Sequence, residues 1–155
     1  MSNWFSFGMF TTMKTMTKTE LMNELGLAGE KAVINYLSEQ GCKIKSSIDK
    51  FDSEKDLLVD GKKVEVKTQV AFIMQNAFSF KPNQLRKCRS VDDLYFVCVP
   101  PNRKTDKWGG WIFKVNPKEF ETRTYKTKDG RDMILIDREQ PALQPVYKLS
   151  PEEIR

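Results

Sequence analysis

The chain contains no histidine. That absence excludes Ser-His-Asp and Cys-His catalysis, histidine-ligated zinc and imidazole as a general base. Cysteine is scarce as well: Cys42, Cys88 and Cys98 stand far apart, odd in number and without a CxxC pair. That pattern argues against a disulfide framework and a zinc site, and a reducing cytoplasm is the expected location. No apolar run approaches the ~18 residues needed to cross a bilayer, so no membrane partner is expected. The aromatic stretch over residues 4–10 is short, broken by serine and glycine, and has no basic segment before it. It reads as part of an N-terminal arm, residues 1–16, rather than a targeting signal. Repeats, low-complexity tracts and a clear linker are also missing, and residues 17–155 are expected to form one domain. Any chemistry must come from carboxylates, lysines, hydroxyls or a hard metal ion.

What is present is a surplus of positive charge. The 155 residues include 26 Lys and Arg against 21 Asp and Glu, a formal net charge of +5. A basic surplus tilts toward a polyanionic partner, nucleic acid being the commonest, although many soluble proteins are basic without one.

Local patterns give an outline of the fold. Thr17-Lys-Thr-Glu20 reads as a capping box. Leu21, Leu25, Ala28, Ala32 and Tyr36 follow at helical spacing, and Gly41 sits where a cap glycine belongs, predicting a helix over 18–40. Residues 42–48 suit a strand. Residues 57–59 and 63–69 are β-type runs split by Asp60-Gly61, a strong hairpin signal. Residues 82–89 suit a second helix with proline at an early position. Residues 94–99 form a near-continuous apolar run, as in a strand buried on both faces, ended by Pro100-Pro101. Strands are expected at 111–115, 122–127 and 133–136, the last two around Asp129-Gly130. The expected class is α/β, mixed α+β: a central mixed sheet with a helix on each face, in the order αβββαβ with extra C-terminal strands.

The informative segment runs from Lys55 to Gln69. With Asp60-Gly61 as a two-residue turn, Val59 faces Lys62, Leu58 faces Lys63, Leu57 faces Val64 and Asp56 faces Glu65. Directly opposed residues have Cβ atoms ~4.5–5.5 Å apart. Alternation puts Glu65, Lys67 and Gln69 on one strand face, with Asp56 joining them through the pairing, while Val64, Val66 and Thr68 face the other way. Opposed like charges destabilise a sheet, and a hard divalent cation resolves that cost. Asp56, Glu65 and the Val66 carbonyl would supply oxygens to Mg²⁺, for which Mn²⁺ would substitute. Lys67 would orient water or stabilise charge on a phosphate. Glu30, at the margin of the helix's apolar face with Gly26 one turn earlier, would be a further ligand, directly or through water. Against this, Glu-x-Lys is common on solvated strand faces, and Glu30 alone is an ordinary helix acid.

This pattern resembles the PD-(D/E)XK nuclease superfamily, the restriction-endonuclease-like fold. The resemblance rests on Glu30, Asp56, Glu65-Val-Lys67 and Gln69 and spans residues 17–100. The trailing Gln69 is similar to the variant in Holliday-junction resolvases. The family proline is absent, since Lys55 precedes Asp56. Membership would imply Mg²⁺-dependent phosphodiester hydrolysis, with Asp56 and Glu65 as metal ligands, Lys67 positioning water, and Glu30 and Gln69 supporting the site.

DNA would be held by basic clusters: Lys81, Arg86, Lys87 and Arg89; Arg103, Lys104 and Lys107; and Lys126, Lys128 and Arg131. Phosphate contacts of this kind weaken steeply with salt. Trp108-Gly-Gly-Trp111 offers a mobile Gly-Gly flanked by tryptophans able to stack on unpaired bases or wedge into a junction, although such residues more often belong to a core or an interface. No base-reading motif is visible, which favours recognition of shape or backbone. Three readings follow. One is a structure-directed or low-specificity DNA endonuclease, acting as a homodimer if a junction resolvase. Another is a sequence-specific restriction-type endonuclease. The last is a non-catalytic basic DNA-binding module.

Overall fold

A computed structural model describes residues 16–46, 57–71 and 76–155. In chain order the elements are helix α1 (Lys18–Glu39), strands β1 (Ile44–Ser46), β2 (Leu57–Val59), β3 (Lys62–Val70) and β4 (Ala77–Phe80), a 3-10 helix (Pro82–Leu85), strands β5 (Asp93–Val99), β6 (Gly110–Val115), β7 (Arg123–Lys126), β8 (Asp132–Asp137) and β9 (Leu143–Leu149), and helix α2 (Pro151–Ile154).

Helix α1 starts where the capping box predicts. The Glu20 N–H donates to Thr17 Oγ1 at 3.1 Å, and the Thr17 N–H donates to Glu20 Oε2 at 3.4 Å. The helix ends at Gly41, whose φ of 86° suits a residue without Cβ. Its buried stripe, Gly29, Ala32, Val33 and Leu37, packs on the main sheet.

That sheet has six strands in the order β1-β2-β3-β5-β6-β9. β3 and β5 run parallel and the other neighbours antiparallel, so the sheet is mixed. β5 is buried along its length, as its apolar run predicts. Tyr95, Val97 and Val99 face α1, while Leu94, Phe96 and Cys98 face a second core.

A second sheet, β4-β8-β7, covers that other face. Phe78 of β4 packs on Phe96 and Phe113 at ring-centroid distances of 5.0 and 5.5 Å. Burying a side chain of this size contributes roughly 1.5–3 kcal/mol. The expectation of a helix on each face therefore fails: one face carries a helix and the other a sheet. The expected second helix at 82–89 is a short 3-10 helix followed by turns. Arg86, Cys88 and Ser90 donate backbone bonds to Asn83, Leu85 and Lys87, each three residues back. That tight spacing turns both Leu85 and Cys88 into the core. The αβββαβ order is thus interrupted by β4 and lacks an α-helix before β5. β9 carries Pro145 on the sheet edge, where a missing N–H is tolerated. The expected strand at 42–48 is shorter, Ile44–Ser46, and positions 47 and 48 lie outside the described residues. Among the described residues no helix is long and apolar enough to cross a membrane.

Candidate functional site

The site is organised by the β2–β3 hairpin. Asp60 and Gly61 both have positive φ, 50° and 81°, as a two-residue type I′ turn requires. The turn is pinned to β1: the Lys43 N–H donates to Asp60 Oδ1 and the Asp60 N–H to the Lys43 carbonyl, both at 2.8 Å. The register is Val59 opposite Lys62, Leu58 opposite Lys63 and Leu57 opposite Val64, as the sequence predicts. Asp56, on which the acid–acid opposition depends, lies outside the described residues.

Along β3 the faces divide as expected. Val64 and Val66 join the core beneath α1. Glu65, Lys67 and Gln69 pair in parallel with Leu94, Phe96 and Cys98, so they share the face turned toward the second sheet. Lys67 Nζ stands 3.3 Å from Glu65 Oε1, with the two side chains 27% and 21% exposed. The pair is partly shielded from water, and its Coulomb attraction is less screened than that of a surface pair. Gln69 has a structural duty: its Oε1 accepts from the Ser79 N–H at 2.8 Å, tying β3 to β4.

The backbone of β3 also divides. In a two-residue hairpin the flanking residues bond each other, so Lys62, Val64 and Val66 turn their backbone groups toward β2, and Lys63 and Glu65 turn theirs toward β5. Asp92, just before β5, agrees: its N–H donates to the Lys63 carbonyl at 3.0 Å, and its Oδ2 accepts from the Lys63 N–H at 2.9 Å. The Val66 carbonyl therefore points to the β2 side, past Leu57 where β2 begins.

Cys88 packs in the core with Leu94 and Phe96, the β5 partners of Glu65 and Lys67, close enough for its thiol to feel both charges, a nearness the sequence spacing did not reveal. Burial pushes its thiol up to about 11, with Lys67 pulling it down and Glu65 and Arg89 acting in opposite senses. The segment bearing Lys81, Arg86 and Lys87 thus runs beside this face. Lys81 and Arg86 are exposed and Lys87 is half-buried.

Glu30 is half-buried on α1, which packs on the opposite face of β3. Among the described residues no contact joins it to Glu65 or Lys67. The glycine that matters on this helix is Gly29 rather than Gly26. A Cβ at Gly26 would meet nothing within 4 Å, whereas one at Gly29 would collide with the Thr68 side chain. Thr68 Oγ1 is buried there without a hydrogen-bond partner among the described residues.

Some of the proposed DNA contacts are committed elsewhere. Arg89 lies 3.8 Å over the Phe120 ring and donates to the carbonyls of Pro117 and Phe120. Arg103 donates to the Ile154 carbonyl at 3.1 Å and lies 3.6 Å from Glu24, holding α2 against α1. Arg131 pairs with Asp129 at 2.9 Å. Lys104, Lys107, Lys126 and Lys128 are exposed. Trp108 and Trp111 are surface residues, 39% and 36% exposed, and so do not belong to the core. The glycines between them are not a mobile joint: a Cβ on Gly109 would overlap the Leu149 carbonyl, and one on Gly110 would sit 2.5 Å from the Cys98 carbonyl.

Among the described residues no three acids or cysteines gather in a metal-holding group. Compared with known proteins, the chain matches no family model, no curated protein and no solved structure.

Proposed function

We propose that the chain is a metal-dependent DNA endonuclease whose active face is the Glu65–Lys67 side of β3. The observation that carries the reading is the half-buried carboxylate–ammonium pair, set two residues apart on a strand whose hairpin register is pinned at Asp60-Gly61. The donor set fits a hard cation: a carboxylate at Glu65 and, one residue on, a carbonyl at Val66 directed away from β5. Asp56 completes the set in this proposal. A bound Mg²⁺ would supply Lewis-acid charge beside the scissile phosphate. Lys67, held at Glu65, donates hydrogen bonds to the attacking water or to phosphate oxygens and stabilises the charge that develops there. Glu30 is not required, because its helix sits behind the strand. Exposed cations on the neighbouring segment, Lys81 and Arg86, attract the phosphate backbone.

The reading is tested by incubating linear, single-stranded, flapped and four-way DNA with the protein in Mg²⁺ and in EDTA. Metal-dependent cleavage supports it, and preference among the four substrates separates a structure-directed enzyme from a restriction-type one. A second reading draws on the same ion pair. Glu65 and Lys67 neutralise each other, so the face would also serve a non-catalytic DNA-binding module. Equal DNA affinity in Mg²⁺ and EDTA without cleavage would favour that module.

A further inference from the structure

A second site lies on the same face of the main sheet, two strands across from the Glu65–Lys67 pair, where β6 and β9 meet the end of β8. A cavity of about 380 Å³ opens there. Phe113, Leu143 and Pro145 form its apolar side, and Arg138, Glu139 and Gln140 its polar side, with Trp111 completing the wall. We propose that this cavity receives an unstacked nucleobase of single-stranded DNA, stacked on Trp111, with its phosphate held by Arg138 and Lys148. The inference rests on the nucleic-acid reading above, but not on cleavage.

Four features support it. The backbone leading into Trp111 is held close, since Gly109 and Gly110 press against the Leu149 and Cys98 backbones with no room for a side chain. A backbone held in this way spends little entropy in presenting the ring to a base. Positive charge stands at the ring: Lys148 Nζ lies over one face, 5.9 Å from the centroid, which leaves the other face for a base, and Arg138 lines the same cavity. An aromatic ring flanked by cations is the arrangement that binds base and backbone together. Gln140 is locked, its amide donating to the Glu121 and Asp137 carbonyls and its Oε1 accepting from the Glu121 N–H, so that wall keeps its shape. Glu139 is the one acid in the wall. As an acceptor it suits a base edge that presents an N–H.

The test uses a fluorescein-labelled 12-nucleotide single-stranded DNA and a duplex of equal length, both in EDTA. Trp111→Leu keeps apolar bulk and removes the stacking face, while Trp111→Tyr keeps a ring. Base–aromatic stacking is worth ~1–3 kcal/mol. Trp111→Leu is therefore expected to bind the single strand roughly 5- to 150-fold more weakly, with Trp111→Tyr near wild type and duplex affinity within twofold. Arg138→Gln should weaken single-strand binding and flatten its salt dependence. Wild-type single-strand affinity in Trp111→Leu would overturn the proposal. So would an equal loss for duplex, or an equal loss in the Leu and Tyr variants. Mg²⁺-dependent cleavage of linear duplex by Trp111→Leu is expected to match wild type, which separates failure here from failure of the nuclease reading.

Discussion

Gly29 of α1 lies so close to Thr68 of β3 that a Cβ on the glycine would fall 2.7 Å from the threonine Cβ. Thr68 stands between Lys67 and Gln69. The closeness of this helix–strand contact therefore helps set the height of β3 and the position of the side chains on its far face. A larger residue at position 29 must push the helix away, at a cost of about 1–3 kcal/mol for overpacking. Gly29→Ala is expected to lower stability by that amount in urea unfolding. Gly26→Ala, with open space around it, should be neutral or stabilising by up to about 1 kcal/mol.

Lys67 acts on the reacting groups in this account, not on DNA affinity. Lys67→Ala should lower cleavage roughly a hundredfold or more while leaving DNA binding in EDTA within twofold. Single-turnover rates and a binding titration check both halves. Full cleavage by this variant would remove the lysine from the mechanism.

Arg89 and Arg86 are near neighbours in sequence with different duties. Arg89 is held by Phe120 and by two backbone carbonyls. Arg89→Ala should cost about 1–2 kcal/mol of stability and leave the salt dependence of DNA binding unchanged. Arg86→Ala should leave stability alone and reduce the slope of log affinity against log salt by about 1. Thermal melts and a salt series distinguish the two.

Burial raises the thiols of Cys88 and Cys98 to about 11. At pH 8 a thiol reagent should label only half-buried Cys42 in the folded chain, and all three cysteines after unfolding. Between pH 9 and about 11 the unfolded chain gives up thiol protons that the folded chain retains. The folded state binds more protons in that window, so stability contributed by these groups falls as pH rises through it. A melting series across that range checks the sign.

Much of the frame was legible because local chemistry dictates it. The Asp60-Gly61 turn needs positive φ at both positions, and the Thr17–Glu20 box satisfies helix-end donors within four residues. The register of the hairpin, and hence the shared face of Glu65 and Lys67, followed from that turn. The 82–89 segment was misread because Leu85 and Cys88, three apart, suit an α-helix and a 3-10 turn equally. β4 is only four residues long and left little trace in periodicity, and β9, which carries Pro145, was not among the expected strands. The other two strands of the second sheet, β7 and β8, were legible from the Asp129-Gly130 turn between them. The duties of Arg89 and Arg103 are tertiary: each binds carbonyls at least 28 positions away in sequence. No reading of charge clusters along the chain separates such residues from phosphate contacts.

The most direct measurement is single-turnover cleavage of four-way and linear DNA by wild type and Glu65→Ala, with Mg²⁺ and with EDTA, alongside the melting temperature of each protein. The account predicts cleavage by wild type in Mg²⁺ alone, and none by a folded Glu65→Ala under either condition. Cleavage by Glu65→Ala at the wild-type rate, or intact DNA in every wild-type reaction, would contradict it.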